Sequence, residues 1–266
     1  MTDLSALIDT DKHCLTLADW LAAKRDELVA QGAVQMRRLL QPDALAALQK
    51  EAATSLNQAY FNPQTHNIYL DKGDEAHPES HIRNRHLTSS KGCVTDDQIV
   101  AGSVLKQIYH HPAFISALCF ILGENALYPY ADSLSSVNIH YARRNEELNW
   151  HFDNSSFAVT LMIQPATSGG TFEYVRDVRD ANRGKMGFSQ AAAVVEGRQQ
   201  ASRLNLDAGD LLLFKGKNSL HRVTPVTDDS TRQLAVLAYN NQPGISLSET
   251  AQRTFYGRTS GPVPSV

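Results

Sequence analysis

The chain has 266 residues, 42% of them hydrophobic and 20% charged, with a formal net charge of −3. That composition suits one globular domain with a sizeable core, and it excludes a basic nucleic-acid surface or a polybasic membrane anchor. Three cysteines, Cys14, Cys93 and Cys119, are too few and too scattered for a disulfide framework or a zinc site, which points to a reducing compartment.

The N-terminal "MTDLSALIDTDKHC" carries charges where a signal peptide needs an apolar stretch. No run approaches the length of a membrane span, so a cytoplasmic protein is expected. "LTLADWLAAKRDELVAQG" has apolar residues at helical spacing and ends at Gly32. "AVQMRRLL" is a short strand candidate, and Pro42 and Asp43 then open a helix through "DALAALQKEAATSLNQAY". Residues 61–98 hold no sustained period and much Asn, Pro, His and Ser, which marks a lid or an irregularly ordered segment. A helix over 99–122, interrupted near Pro112, closes this half.

From about residue 134 short strand-like runs recur: "SVNIHYA", "FAVTLMIQ", "GGTFEYV", "SRLNLD", "GDLLLFKG", "LHRVTPV" and "QLAVLAYN". Gly, Pro, Asn and Asp separate them, and only "SQAAAVVEGRQQ" (189–200) reads as an inserted helix. Such a series argues for an antiparallel sandwich or barrel rather than a βαβ sheet. The expected class is α+β: a double-stranded β-helix (jelly-roll, cupin-like) core with supporting N-terminal helices. One domain over 1–266 is expected, with helical support and a lid region at 1–130, the β-helix core at 131–245 and a tail at 246–266.

Within the strand series, "NWHFDNSSFAVTLMIQ" puts His151 and Asp153 two apart just ahead of a strand, so extended backbone projects both from one face. Seventy residues on, His221 begins the strand of "LHRVTPV". Two histidines and one carboxylate on one side of a metal form the facial triad of non-haem Fe(II) oxygenases, with open positions left for a bidentate co-substrate and O2. Arg232, eleven residues after His221, opens the last strand. A guanidinium there can grip a distal carboxylate through two hydrogen bonds, as a 2-oxoglutarate site requires.

H-x-D, a later His and an Arg about ten residues beyond it resemble the Fe(II)/2-oxoglutarate-dependent dioxygenase superfamily. "WHFDNSSFAVTLMIQPATSGGTFEYV", "GDLLLFKGKNSLHRVTPV" and "FYGRT" are similar to a subgroup of free-amino-acid hydroxylases and radical halogenases of free lysine. The resemblance implies Fe(II), 2-oxoglutarate and O2 as cofactors and co-substrates. It also implies that the halogenases carry Gly in place of Asp153, opening a position for chloride. With the carboxylate present the expected outcome is hydroxylation. Lysine-specific relatives are expected to carry an acid near Asn154, so an amide there argues against lysine.

Further candidates are Asn138 and His140, on one face of "SVNIHYA", for the co-substrate pocket, and Arg83 or Arg85 of "HIRNRH" for a substrate carboxylate. Asn154, Asn240 and Asn241 are candidates for polar substrate contacts. The function expected is hydroxylation of a small polar substrate, a free amino acid or a derivative. Its rivals are desaturation, cyclisation or halogenation with the same cofactors, and a non-catalytic β-helix binding module. The expected partner is a small molecule, with no nucleic acid and no membrane; a homodimer is compatible with the sequence.

Overall fold

A computed structural model describes residues 3–260. The chain order is α1 (Ala18–Gln31), β1 (Ala33–Met36), α2 (Pro42–Ser55), β2 (Tyr60–Phe61), β3 (Gln64–His66), β4 (Leu87–Ser89), β5 (Gly92–Val94), α3 (Val104–Tyr109) and α4 (Pro112–Leu122). Then come β6 (Val137–Ala142), β7 (Leu148–His151), β8 (Ala158–Gln164), β9 (Phe172–Val175), α5 (Phe188–Val195) and β10 (Ser202–Leu204). The last elements are β11 (Leu211–Phe214), β12 (Leu220–Val223), β13 (Arg232–Leu237) and α6 (Glu249–Tyr256). No helix among the described residues is long and apolar enough to cross a membrane.

Local chemistry sets most of these boundaries. Gly32 adopts φ 72°, and its N–H caps α1 through the Leu28 carbonyl. Pro42 opens α2, where a missing N–H costs nothing. The helix expected over 99–122, with an interruption near Pro112, is two helices parted at that point. Ser103 caps α3 by accepting the Leu105 N–H at 3.2 Å, and His111 caps α4 by accepting the Ala113 N–H at 3.2 Å. Pro112 forces the break because it can begin a helix but cannot continue one.

Strands β6 to β13 interleave into two antiparallel sheets, the arrangement of a double-stranded β-helix. β11, β8, β13 and β6 lie side by side in the larger sheet; β10, β9, β12 and β7 make the smaller one. The N-terminal half is less purely helical than its sequence suggests. β1 extends the larger sheet beyond β11, and β5 with β2 extends it beyond β6. A β3–β4 hairpin lies beside them.

The helices cover the outer face of the larger sheet. Leu28, Leu48, Leu105 and Phe114 there share one buried cluster with Ile139, Leu161, Leu213 and Ala235. On the other face Met162, Leu212, Phe214 and Leu234 join Phe172, Tyr174 and Val223 in a cluster that lies inside the β-helix. Alternate residues of "LLLF" therefore serve two cores, which is why that strand shows no polar alternation. Each such side chain contributes about 1.5–3 kcal/mol by leaving water.

The 61–98 stretch is ordered by its own polar side chains. Asn84 accepts the Asp74 N–H at 2.7 Å and donates to the Asp74 and His77 carbonyls at 2.8 and 2.7 Å. Its two ends are the β2–β3 and β4–β5 strands, so it is partly sheet edge and partly cover.

Candidate active site

His151 and His221 are direct partners across the β7–β12 pairing, with ring centroids 4.2 Å apart. The sequence placed His151 ahead of a strand; it is instead the last residue of β7, a strand that sequence reading missed. Asp153 follows just past the end of β7, pinned where its N–H meets the Gly216 carbonyl at 3.1 Å. Phe152 between them points into the core and is fully buried, so His151 and Asp153 do share a face.

The Nδ1 atoms of His151 and His221 lie 2.7 and 2.9 Å from the Asn149 and Ser219 carbonyls. A carbonyl only accepts, so each Nδ1 carries the proton and each Nε2 presents a lone pair. Both Nε2 atoms face Asp153 Oδ1, at 3.7 and 3.4 Å. Asp153 Oδ2 is buried with no hydrogen-bond partner among the described residues. Two lone pairs and a carboxylate converging in a buried space repel one another unless a cation sits among them. The three ligand atoms lie within 4.8 Å of one another, and the donor set suits a divalent metal such as Fe(II). Burial pushes His151 down to about 3, which keeps it the neutral ligand a metal needs. Burial raises the Asp153 carboxyl, but His221, His151 and Lys91 together hold it below its ordinary value.

The surroundings brace this cluster. Arg179 donates through Nε to the Lys217 carbonyl at 2.6 Å and through Nη2 to the Asp153 carbonyl at 3.2 Å. Its guanidinium stacks on Phe152 at 4.2 Å, tying the His151–Asp153 segment to the loop before β12. Gly216 faces Asp153 so closely that a Cβ there would lie 1.8 Å from Oδ2. Behind His151, Ser89 Oγ accepts the Asn149 N–H at 2.8 Å and lies 2.7 Å from His66 Nε2. The β3–β4 hairpin thus holds β7 in place.

The triad opens into a cavity of about 490 Å³ between the sheets. Arg232, buried at the start of β13, lines it and donates through Nε to the Gly170 carbonyl at 3.1 Å. Burial pulls its guanidinium down to about 10, which leaves it charged at neutral pH. His140 and Asn154 also line the cavity. Lys91, which sequence reading passed over, lies there with its ammonium 3.1 Å from His140 Nδ1. Thr254 and Phe255 of α6 form part of the wall, so the C-terminal segment belongs to the site.

Five sequence candidates lie elsewhere. Asn138 donates to the Leu134 and Val137 carbonyls and accepts from Tyr256, so it anchors α6 and faces a neighbouring cavity. Arg83 is paired with Asp71, with Nη2 3.0 Å from Oδ2, and orders its own loop. Arg85 meets Glu196 at 3.5 Å on the surface. Asn240 exchanges backbone hydrogen bonds with Tyr128, outside the cavity wall, and Asn241 is exposed. Charged loop residues found nearer partners than a substrate, a competition that sequence alone does not display.

The fold is shared with solved oxygenases. A 2OG-Fe(II) oxygenase family oxidoreductase from Burkholderia pseudomallei aligns over 85% of this chain and 93% of its own, with a TM-score of 0.56 and 13% identity. The non-heme alpha ketoglutarate dependent carbocyclase SnoK of nogalamycin biosynthesis aligns over 94% and 95%, with a TM-score of 0.59 and 13% identity. A Pseudomonas putida prolyl-4-hydroxylase aligns over 81% and 96%, with a TM-score of 0.51 and 14% identity. No curated protein sequence matches the chain. The halogenase D family profile matches residues 17–255, spanning the helices, the triad, Arg232 and most of α6. On that match the chain belongs to the halogenase D family.

Proposed function

We propose that the protein is an Fe(II)- and 2-oxoglutarate-dependent hydroxylase of a small polar substrate, a free amino acid or an amino-acid derivative. His151, Asp153 and His221 hold the metal, and Arg232 holds the distal carboxylate of 2-oxoglutarate. The observation that carries the reading is the convergence of both Nε2 atoms on a buried carboxylate whose Oδ2 has no partner. Bound Fe(II) with 2-oxoglutarate supplies the oxidising power for O2-dependent attack on an unactivated C–H bond, with release of succinate and CO2.

The chain's own contribution is placement. The Asn149 and Ser219 carbonyls fix the tautomers of the ligands, and Arg179 and Gly216 fix where the Asp153 carboxylate can sit. His140 and Asn154 line the cavity with polar groups, while Leu148, Phe172 and Phe255 keep much of its wall dry. Asp153 also supports hydroxylation within a family named for halogenation. A carboxylate in the ligand set fills the position that chloride would need.

The test is an anaerobic titration of the protein with Fe(II) and 2-oxoglutarate, followed by visible absorption, then a screen of amino acids and their derivatives for substrate-stimulated succinate. A visible charge-transfer band and stimulation by one compound class are expected. Absence of the band at saturating Fe(II) and 2-oxoglutarate would sink the proposal and favour a binding module.

A further inference from the structure

Among the described residues two cations line the main cavity, and 2-oxoglutarate as placed above accounts for one of them. Lys91 is the other. It precedes β5, whose register sets Cys93 opposite His140, so Lys91 shares the inward face with both. Its Nζ lies 3.1 and 3.3 Å from the two nitrogens of His140, and it forms no ion pair with a carboxylate among the described residues. It also stands at the junction of the main cavity with a neighbour of about 200 Å³, and lines both.

Among the described residues that line these two cavities, Asp153 is the single carboxylate. The charges can therefore be counted. A divalent metal, Arg232 and Lys91 together bring four positive charges; Asp153 brings one negative charge and 2-oxoglutarate two. One positive charge is left over, and it sits at Lys91. An uncompensated charge in a largely apolar cavity is costly, so the remaining ligand should carry its counter-charge.

Resting on the oxygenase reading, we infer that Lys91 is the substrate's carboxylate anchor and that the substrate is a monoanion with an apolar body and no free ammonium. Deaminated or N-acylated amino acids fit this description; zwitterionic and basic amino acids do not. A free ammonium would find Asp153 as its one carboxylate among the described lining residues, and the oxygens of that group are committed to the metal. The body would lie against Leu148, Phe172, Val236 and Phe255, of which the last two are shared by both cavities.

Calorimetric titration decides this without turnover. Protein loaded anaerobically with Mn(II) and saturating 2-oxoglutarate is titrated with N-acetyl-L-leucine, 4-methylpentanoate, L-leucine and L-lysine. Both monoanions should bind at least about ten-fold more tightly than either free amino acid, the scale of one charge-assisted hydrogen bond. Lys91→Met should weaken the monoanions by about ten-fold or more and leave 2-oxoglutarate affinity unchanged, and Lys91→Arg should restore most of the loss. The inference is overturned if leucine or lysine binds as tightly as the monoanions, or if neither monoanion binds. It is also overturned if Lys91→Met binds them normally, or loses 2-oxoglutarate instead. The wild-type panel decides the charge preference even should the Met variant fail to fold. Failure of the wild type to bind 2-oxoglutarate with Mn(II) would instead overturn the oxygenase reading, and the inference with it.

Discussion

Gly216→Ala tests whether the placement of the Asp153 carboxylate is built into the fold. A Cβ at this position would lie 1.8 Å from Asp153 Oδ2, 2.5 Å from Cγ and 3.0 Å from Cβ. Ordinary contact is about 3.5 Å, so the carboxylate must retreat by about 1.5 Å or more, chiefly by swinging about χ1. Gly216 is not among the residues with positive φ, so the backbone itself tolerates Ala. The side chain pays about 0.5–1.5 kcal/mol to leave its rotamer, which the fold survives. The metal does not tolerate the same displacement. Disturbing even the outer support of a ligand weakens metal binding by about ten- to a hundred-fold, and here the ligand itself moves. The assay is Mn(II) affinity by calorimetry beside a metal-free thermal melt. Gly102→Ala, where nothing lies within 4 Å of the new Cβ, is the control. Wild-type Mn(II) affinity in Gly216→Ala would refute the reasoning, because the carboxylate would then have no part in holding the ion.

Arg232→Lys should raise the 2-oxoglutarate KM by about ten-fold and change kcat less, since a point charge replaces a planar fork; an unchanged KM moves the anchor elsewhere. Asp153→Gly should lower hydroxylation by about two orders of magnitude or more, and product mass spectrometry in saturating chloride checks it. Chlorinated product from the wild type would overturn the use of Asp153 to choose hydroxylation. The metal-free protein should lose stability as pH falls from about 6.5 towards 3, because the unfolded chain protonates His151 before the folded chain does. Melts from pH 7 to 4 should show a shallower slope for His151→Asn, and an identical slope would contradict the assignment.

The candidate metal site was legible because its residues keep a short, ordered signature: H-x-D, a distant His near the start of a strand, and an Arg soon after. The β-helix was legible because short apolar runs recur between turn residues. β7 was hidden, since "LNWH" is four residues with no alternation and its partner β12 comes about seventy residues later. Lys91, Arg179 and Gly216 were hidden for a related reason. Each acquires its role from a neighbour far along the chain: His140 for Lys91, and Asp153 for the other two. Arg83 misled in the opposite direction. Its guanidinium is the right chemistry for a substrate carboxylate, but Asp71 supplies one within the same loop. Asn138 likewise has the right face of β6 and is saturated by two carbonyls and the Tyr256 hydroxyl.

Metal stoichiometry in single-ligand variants bears most directly on the account. Equilibrium dialysis against Mn(II) with 2-oxoglutarate should give one ion per chain for wild type. His151→Ala, Asp153→Ala and His221→Ala should each fall to background, with unchanged far-ultraviolet circular dichroism. A folded His221→Ala protein that still holds one ion at wild-type affinity would contradict the proposed metal centre.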